Sequence, residues 1–218
     1  GLPAWRLPTV WELLSVVDFG RACPMWDPLF GTACEAGMAF WTSNTVDDDS
    51  NPVTPDLPLI VDVGYGFARP SPYEVSNKSR CVRGDEVLMP VDSDRFVHGF
   101  STVTDRLTGL EWQAKAEFGT SDWKSALAKC NALGVGWHLP TLTELASLMP
   151  FSQGACPSWG GTPVPGADCD ALPTTFWTST PMPDPELSVF TIDFQTVSIS
   201  GSLLSTKSRA TRCVRSNG

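Results

Sequence analysis

The chain has 218 residues, enough for one large domain or two small ones. It carries 15 Lys and Arg against 24 Asp and Glu, a formal charge of −9, which argues against a nucleic-acid or anionic-membrane partner and makes a sulfated polysaccharide an awkward ligand. Charged residues make up only 18% and hydrophobic ones 42%, the balance of a folded protein, and no apolar run approaches the ~20 residues of a membrane span.

In chain order, Trp5-Arg6-Leu7-Pro8 is extended, and Thr9-x-x-Glu12 is a capping box opening a helix with Leu13, Val16 and Val17 on its apolar face. Cys23-Pro24-Met25-Trp26 begins a loop that reaches a second cysteine, Cys34, eleven residues on. Phe40-Trp41-Thr42-Ser43 matches a strand further along, and Asp47-Asp48-Asp49 follows it in a loop. Those crowded carboxylates are a weak calcium candidate, with an ordinary solvated acidic loop favoured. Residues 85–95 are acidic, contain Pro90 and read as a linker. Ser101–Asp105 alternates and Leu107–Trp112 follows a Gly turn, which predicts a short hairpin. From Asp122, Trp123, Ala126, Leu127 and Cys130 fall at helical spacing, with Thr120 or Ser121 as N-cap and Gly134 and Gly136 as stops. Thr141-x-x-Glu144 is a second capping box. Cys156-Pro157-Ser158-Trp159 opens a loop closed by Cys169. Phe176–Ser179 and Val189–Phe194 read as strands, and a last strand carries Cys213.

Four of these segments occur twice in the same order. Trp5–Leu13 recurs at Trp137–Leu145, Cys23–Trp26 at Cys156–Trp159, Phe40–Ser43 at Phe176–Ser179, and Arg80–Arg83 at Arg212–Arg215, at offsets of 132 to 136. An ordered set of matches at a nearly fixed offset is the mark of duplication. The reading is a truncated first module over residues 1–84, a linker over 85–95, and a complete second module over 96–218. Trp5, Trp41, Trp137 and Trp177 lie in the shared framework and are expected in the core.

The seven cysteines include no Cys-x-x-Cys pair, and neither His98 nor His138 lies near them, so zinc spacing is absent and disulfides are expected. Cys23–Cys34 and Cys156–Cys169 would each brace a short loop. Trp26 and Trp159 would then be held on rigid loops, where an indole stacks on a sugar ring or a partner surface, or else covers its own disulfide. Glu12 and Glu144 are repeated acids, but the capping boxes account for both without catalysis. Asp62 and Asp193 are the other recurring carboxylates, and pairing with the recurring arginines accounts for those.

The run from Thr102-Val103-Thr104-Asp105 through Thr108-Gly109-Leu110-Glu111-Trp112-Gln113, Trp123, Ala126-Leu127, Cys130-Asn131, Leu139-Pro140-Thr141 and Glu144-Leu145 to Phe176-Trp177-Thr178-Ser179-Thr180 and Arg212-Cys213-Val214-Arg215 resembles one bacterial family. It is the C-terminal domain family of the Legionella collagen-like adhesin. The resemblance covers residues ~96–215 and, by the repeat, the first copy. It implies a secreted or surface-exposed protein that binds a glycan or protein ligand without catalysis; the alternative is a structural subunit of an extracellular fibre or surface assembly. No cofactor, nucleic acid or membrane insertion is implied. The Leu-Pro-Thr-x-x-Glu run also looks like that of the formylglycine-generating, sulfatase-modifying group. That likeness implies an α+β, C-type-lectin-like fold with two helices per module, short twisted antiparallel strands and long disulfide-braced loops. The reactive cysteine pair of that enzyme group has no counterpart, so such an enzyme is the most distant alternative. In the family framework Cys130 and Cys213 look like a structural disulfide. Cys81 matches Cys213, and its partner would fall just before residue 1. Cys81 is therefore expected to pair outside this chain segment, with a preceding part of a longer protein or with another chain.

Overall fold

A computed structural model describes residues 4–31, 38–46, 56–85, 95–115, 120–149, 158–159, 162–163, 174–183, 188–204 and 207–216. The elements in chain order are β1 (Trp5–Arg6), α1 (Val10–Leu14), β2 (Ala39–Val46), β3 (Leu57–Asp62), β4 (Phe67–Pro70), β5 (Val82–Arg83), β6 (Phe96–His98), β7 (Thr102–Asp105), β8 (Leu110–Gln113), α2 (Trp123–Ala132), α3 (Leu142–Ala146), β9 (Ser158–Trp159), β10 (Thr162–Pro163), β11 (Thr175–Pro181), β12 (Ser188–Asp193), β13 (Ser198–Leu203) and β14 (Val214–Ser216).

The structure overturns the expected α+β, C-type-lectin-like architecture: the chain is mostly antiparallel β-sheet. Among the described residues α1 and α3 are five residues each and α2 is ten, so helices fill little of the chain. The capping boxes start α1 and α3, but a serine at each C-cap and a tightening last turn end them at once. Strands extend where the sequence is apolar and β-branched, as in Leu57–Asp62 and Ser188–Asp193, with turns at Gly64–Gly66 and around Val197.

One six-stranded sheet runs β11-β12-β13-β4-β3-β2. Three strands come from each half of the chain, and the trios meet edge to edge, with Ile199 opposite Ala68 across β13 and β4. Pairing at this seam hides two strand edges that would otherwise be open. One main hydrophobic core underlies both halves: Val10, Leu13, Leu59 and Val61 from the first join Leu142, Leu145, Phe190 and Ile192 from the second. Phe190 meets Phe19 and Phe67 edge to face, centroids 5.3 and 6.5 Å apart.

Hydrogen bonds recur at matched positions. Thr9 and Glu12 cap α1 as Thr141 and Glu144 cap α3, each hydroxyl accepting from the glutamate N–H and each carboxylate accepting from the threonine N–H. Ser43 N–H donates to Pro8 C=O as Ser179 N–H does to Pro140 C=O. The hydroxyls of Thr42 and Thr178 donate across the sheet to Leu59 and Phe190 carbonyls, both at 2.8 Å. Arg83 lies over Trp5 and Arg215 over Trp137, both at 5.0 Å. Removing one cap tests how much these short helices depend on it: Thr141→Ala is expected to lower stability by about 1 kcal/mol in chemical denaturation.

A second sheet, β14-β8-β7-β6, belongs to the second half alone. Its β6 end is anchored by Arg95, which falls inside the expected linker but is only 8% exposed. Arg95 donates to both carboxylate oxygens of fully buried Asp105, at 2.9 and 2.6 Å, and to Ser147 C=O at 2.9 Å. Helix α2 packs against β11, and its N-cap is Asp122, one or two residues beyond the expected Thr120 or Ser121. Cys130 on α2 is bonded to Cys213, which precedes β14.

Candidate functional site

Trp26 does not face solvent. It is 2% exposed, packs on Phe30 and Phe40, and donates its indole N–H to Gly31 C=O at 3.1 Å. Arg80 lies over the same ring at 5.0 Å. Cys23 is disulfide-bonded, to a partner outside the described residues. Cys34, Cys156, Cys169 and the Asp47-Asp48-Asp49 loop lie outside them too, as do the surroundings of Trp159. Among the described residues no group of three or more His, Cys, Asp or Glu is placed to hold a metal ion.

The repeated acids are structural. Glu12 accepts from Arg6 at 2.7 Å while capping α1; Glu144 lies 3.2 Å from His138 Nε2 while capping α3. Asp62 and Asp193 serve turns instead of the expected arginines. Asp62 accepts from Gly64 N–H, and Asp193 accepts from Gln195 and Thr196 N–H and from the Thr174 and Thr175 hydroxyls. Burial pushes the Asp193 carboxyl up, but those donors outweigh it and hold it below its ordinary value.

A cleft of about 340 Å³ opens at the junction of the second sheet and α2. Ser101, Thr102, Gln113, Lys115, Leu133 and Trp137 line it. Hairpin pairing fixes its floor, with Thr102 opposite Gln113 and Ala114 N–H bonded to Ser101 C=O. Leu133 ends α2 and Trp137 follows a turn in which Gly134 and Gly136 have φ of 113° and 83°, values open to glycine. The floor is tied to the disulfide: Gln113 Oε1 accepts from Cys213 N–H, and buried Arg212 donates to the Gln113 and Ala114 carbonyls. Burial lowers the Arg212 guanidinium to about 10.

Trp137 is half-buried and held at its edge by an ordered polar chain. The Thr102 hydroxyl and Arg215 both bond Glu111, and Arg215 in turn covers the indole. The Thr102 hydrogen bond, opposed by burial and assisted by Arg215, keeps the Glu111 carboxyl below its ordinary value. The cleft thus offers two hydroxyls, an amide, an ammonium and an aromatic ring, with no carboxyl, imidazole or thiol among its described lining residues. That set is equipped to hydrogen-bond and stack. Sequence reasoning missed the cleft because its residues come from β7, β8, α2 and the turn beyond. Trp137 was expected in the core, and only the glycines flanking its turn hinted that the backbone there bends outward.

The molecule is of the class of small β-rich domains stapled helix to sheet by a disulfide. Residues 101–215 match the family model of the Lcl C-terminal domain, and the chain belongs to this family, the C-terminal domain family of the Legionella collagen-like adhesin. The family is adhesin-associated and is not an enzyme family. No curated protein and no solved structure matches the chain.

Proposed function

We propose that the chain is an extracellular or surface-exposed binding domain of a bacterial adhesin, built from two copies of one module, and that its ligand is a neutral glycan held in the cleft beside Trp137. The cleft carries the reading: an oriented indole beside two hydroxyls, an amide and an ammonium suits a polyhydroxylated ring, which presents an apolar face and a rim of hydrogen-bonding groups. The charge of −9 favours a neutral glycan over a polyanionic one. The recurring caps, sheet bonds and Arg-over-Trp stacks support the two-copy reading.

A neutral-glycan array probed with the intact chain tests this, followed by affinity measurements on the best ligand. Trp137→Ala is expected to weaken binding at least about tenfold, the scale of an aromatic hot spot, and Lys115→Ala by a smaller factor. Trp5→Ala, at the matched position of the first copy, leaves affinity unchanged. No binding to any neutral glycan, or equal losses for Trp137→Ala and Trp5→Ala, would overturn the reading. The second reading, a subunit of an extracellular assembly, is favoured by the exposed free thiol of Cys81.

A further inference from the structure

Each half places one basic side chain ahead of its capping glutamate, and the two differ. In the first half it is Arg6, which donates from two nitrogens to the Glu12 carboxylate, both at 2.7 Å, and keeps its charge at every working pH. In the second half His138 stands at the matched position. Its Nε2 lies 3.2 Å from both oxygens of Glu144, and its Nδ1 lies 3.0 Å from the Gly136 carbonyl oxygen. Both partners are acceptors. A neutral imidazole carries one N–H and one bare lone pair, so it serves one of these partners only, and its lone pair then faces the other. The imidazolium carries two N–H groups and satisfies both.

The groups at the two ends of these bonds shape the cleft. Gly136 belongs to the turn that presents Trp137, where the Trp137 N–H donates to Gly134 C=O at 3.3 Å. The backbone of His138 is fixed to β14, its N–H donating to Val214 C=O at 2.9 Å and its C=O accepting from Val214 N–H at 3.0 Å. Glu144 is committed to the cap of α3, accepting from the Thr141 N–H at 2.8 Å and the Thr141 hydroxyl at 2.9 Å. The imidazole ring therefore ties the Trp137 turn to a fixed point on α3. Among the described residues the charged groups brought near it are Glu144 on α3 and, beside the Val214 bridge, Arg215 on β14, which lies over Trp137 and is paired with Glu111 of β8. Lys115 is the further cation in the cleft lining. The His138 side chain is 38% exposed, so protons reach the ring from solvent.

We propose that His138 is a proton-operated latch on the Trp137 turn: in mildly acidic water its ring ties the Gly136 carbonyl to α3 and holds the indole at the cleft, and at higher pH one of the two ties is lost and the turn loosens. Imidazole is the side chain that ordinarily changes charge between about pH 5 and 8, so the latch works in that range. The first half has no such switch, because Arg6 stays charged. Ligand affinity in the cleft follows the latch; that consequence rests on the glycan reading, and the latch itself does not.

The test is amide hydrogen exchange of the full 218-residue chain, read by mass spectrometry from about pH 5.5 to about pH 8, with each rate divided by its intrinsic chemical rate. Protection of the segment 134–138 is expected to fall about threefold as the pH rises, the scale of one partly exposed charged contact, while that of the segment 5–7 around Arg6 stays constant. His138→Arg, which copies the first half, keeps high protection throughout. His138→Gln, a neutral amide, keeps low protection throughout. Affinity for the best neutral glycan of the array, measured in parallel, falls by a similar factor in the parent and stays flat in both variants. Protection independent of pH in the parent, or the same pH dependence in His138→Arg as in the parent, would overturn the latch. A pH-dependent turn with pH-independent affinity would overturn its control of the cleft. A pH-dependent turn in a chain that binds no glycan would sink the glycan reading and leave the latch standing.

Discussion

Replacing Cys130 and Cys213 together with alanine lowers unfolding stability by about 4–5 kcal/mol, and the melting temperature by about 10–15 °C. The two residues are 83 positions apart, so the bond removes the closure entropy of a long loop from the unfolded chain. Both sulfurs lie in a small cluster with Ala126, Leu139, Trp177 and Val189, separate from the main core, so the bond also fixes the only helix among the described residues longer than two turns. Cys81→Ala is the control, because an exposed thiol without a disulfide changes stability by less than about 0.5 kcal/mol. Urea titration of the three proteins decides the matter. A double variant as stable as the parent would mean that α2 is held by packing alone.

Arg95→Ala costs about 3–5 kcal/mol at neutral pH, since it leaves a fully buried carboxylate without its cation. The pH profile separates this from simple loss of packing. Burial pushes the Asp105 carboxyl up, but hydrogen bonds and charge from Arg95, with Thr108 and the Leu107 N–H, outweigh it and hold it below the ordinary 3.8. A carboxyl depressed in the folded state contributes stability above pH 3.8 that is lost as the pH falls through its folded value. In the Arg95→Ala protein burial loses its main opponent, so the folded state prefers the neutral acid and gains from acidification. The stability gap between parent and variant is therefore widest near pH 7 and narrows below about pH 4. A gap that stays constant from pH 7 to pH 3 would assign the loss to packing.

What the sequence revealed was what local chemistry controls. Thr-x-x-Glu at positions 9 and 141 specifies a cap within four residues, and Thr102 to Gln113 alternates around a Gly turn, so both features could be read directly. The helix from Asp122 was equally legible, apart from its cap, which is Asp122, accepting from the Ser125 N–H, in place of the expected Thr120 or Ser121. Strand β13 was not legible. Ser198-Ile199-Ser200-Gly201-Ser202-Leu203 is rich in serine and has a central glycine, and its strand character comes from neighbours, β12 beside it and β4 from the other half. Trp177 is buried as expected, but Trp5 and Trp137, also expected in the core, are exposed and half-buried. The sequence shows that an indole is present but not which segment lies over it: Trp26 is roofed by Phe30 and Arg80, Trp177 by the start of α2, and Trp5 by nothing but Arg83. The cleft inherits that difficulty, since its rim is assembled from four places in the chain.

A protein that tethers one surface to another works under tension, and the seam between β13 and β4 bears on how it would carry load. Halves joined by a flexible tether yield one at a time, like beads on a cord. Here the trios share a continuous sheet and the main core, with Phe190 of one half wedged against Phe19 and Phe67 of the other. Tearing out either half strips an edge from the survivor's sheet and opens its interior to water, so the pair resists as one mechanical element. The two halves of this chain together make a thicker strut in place of a longer string.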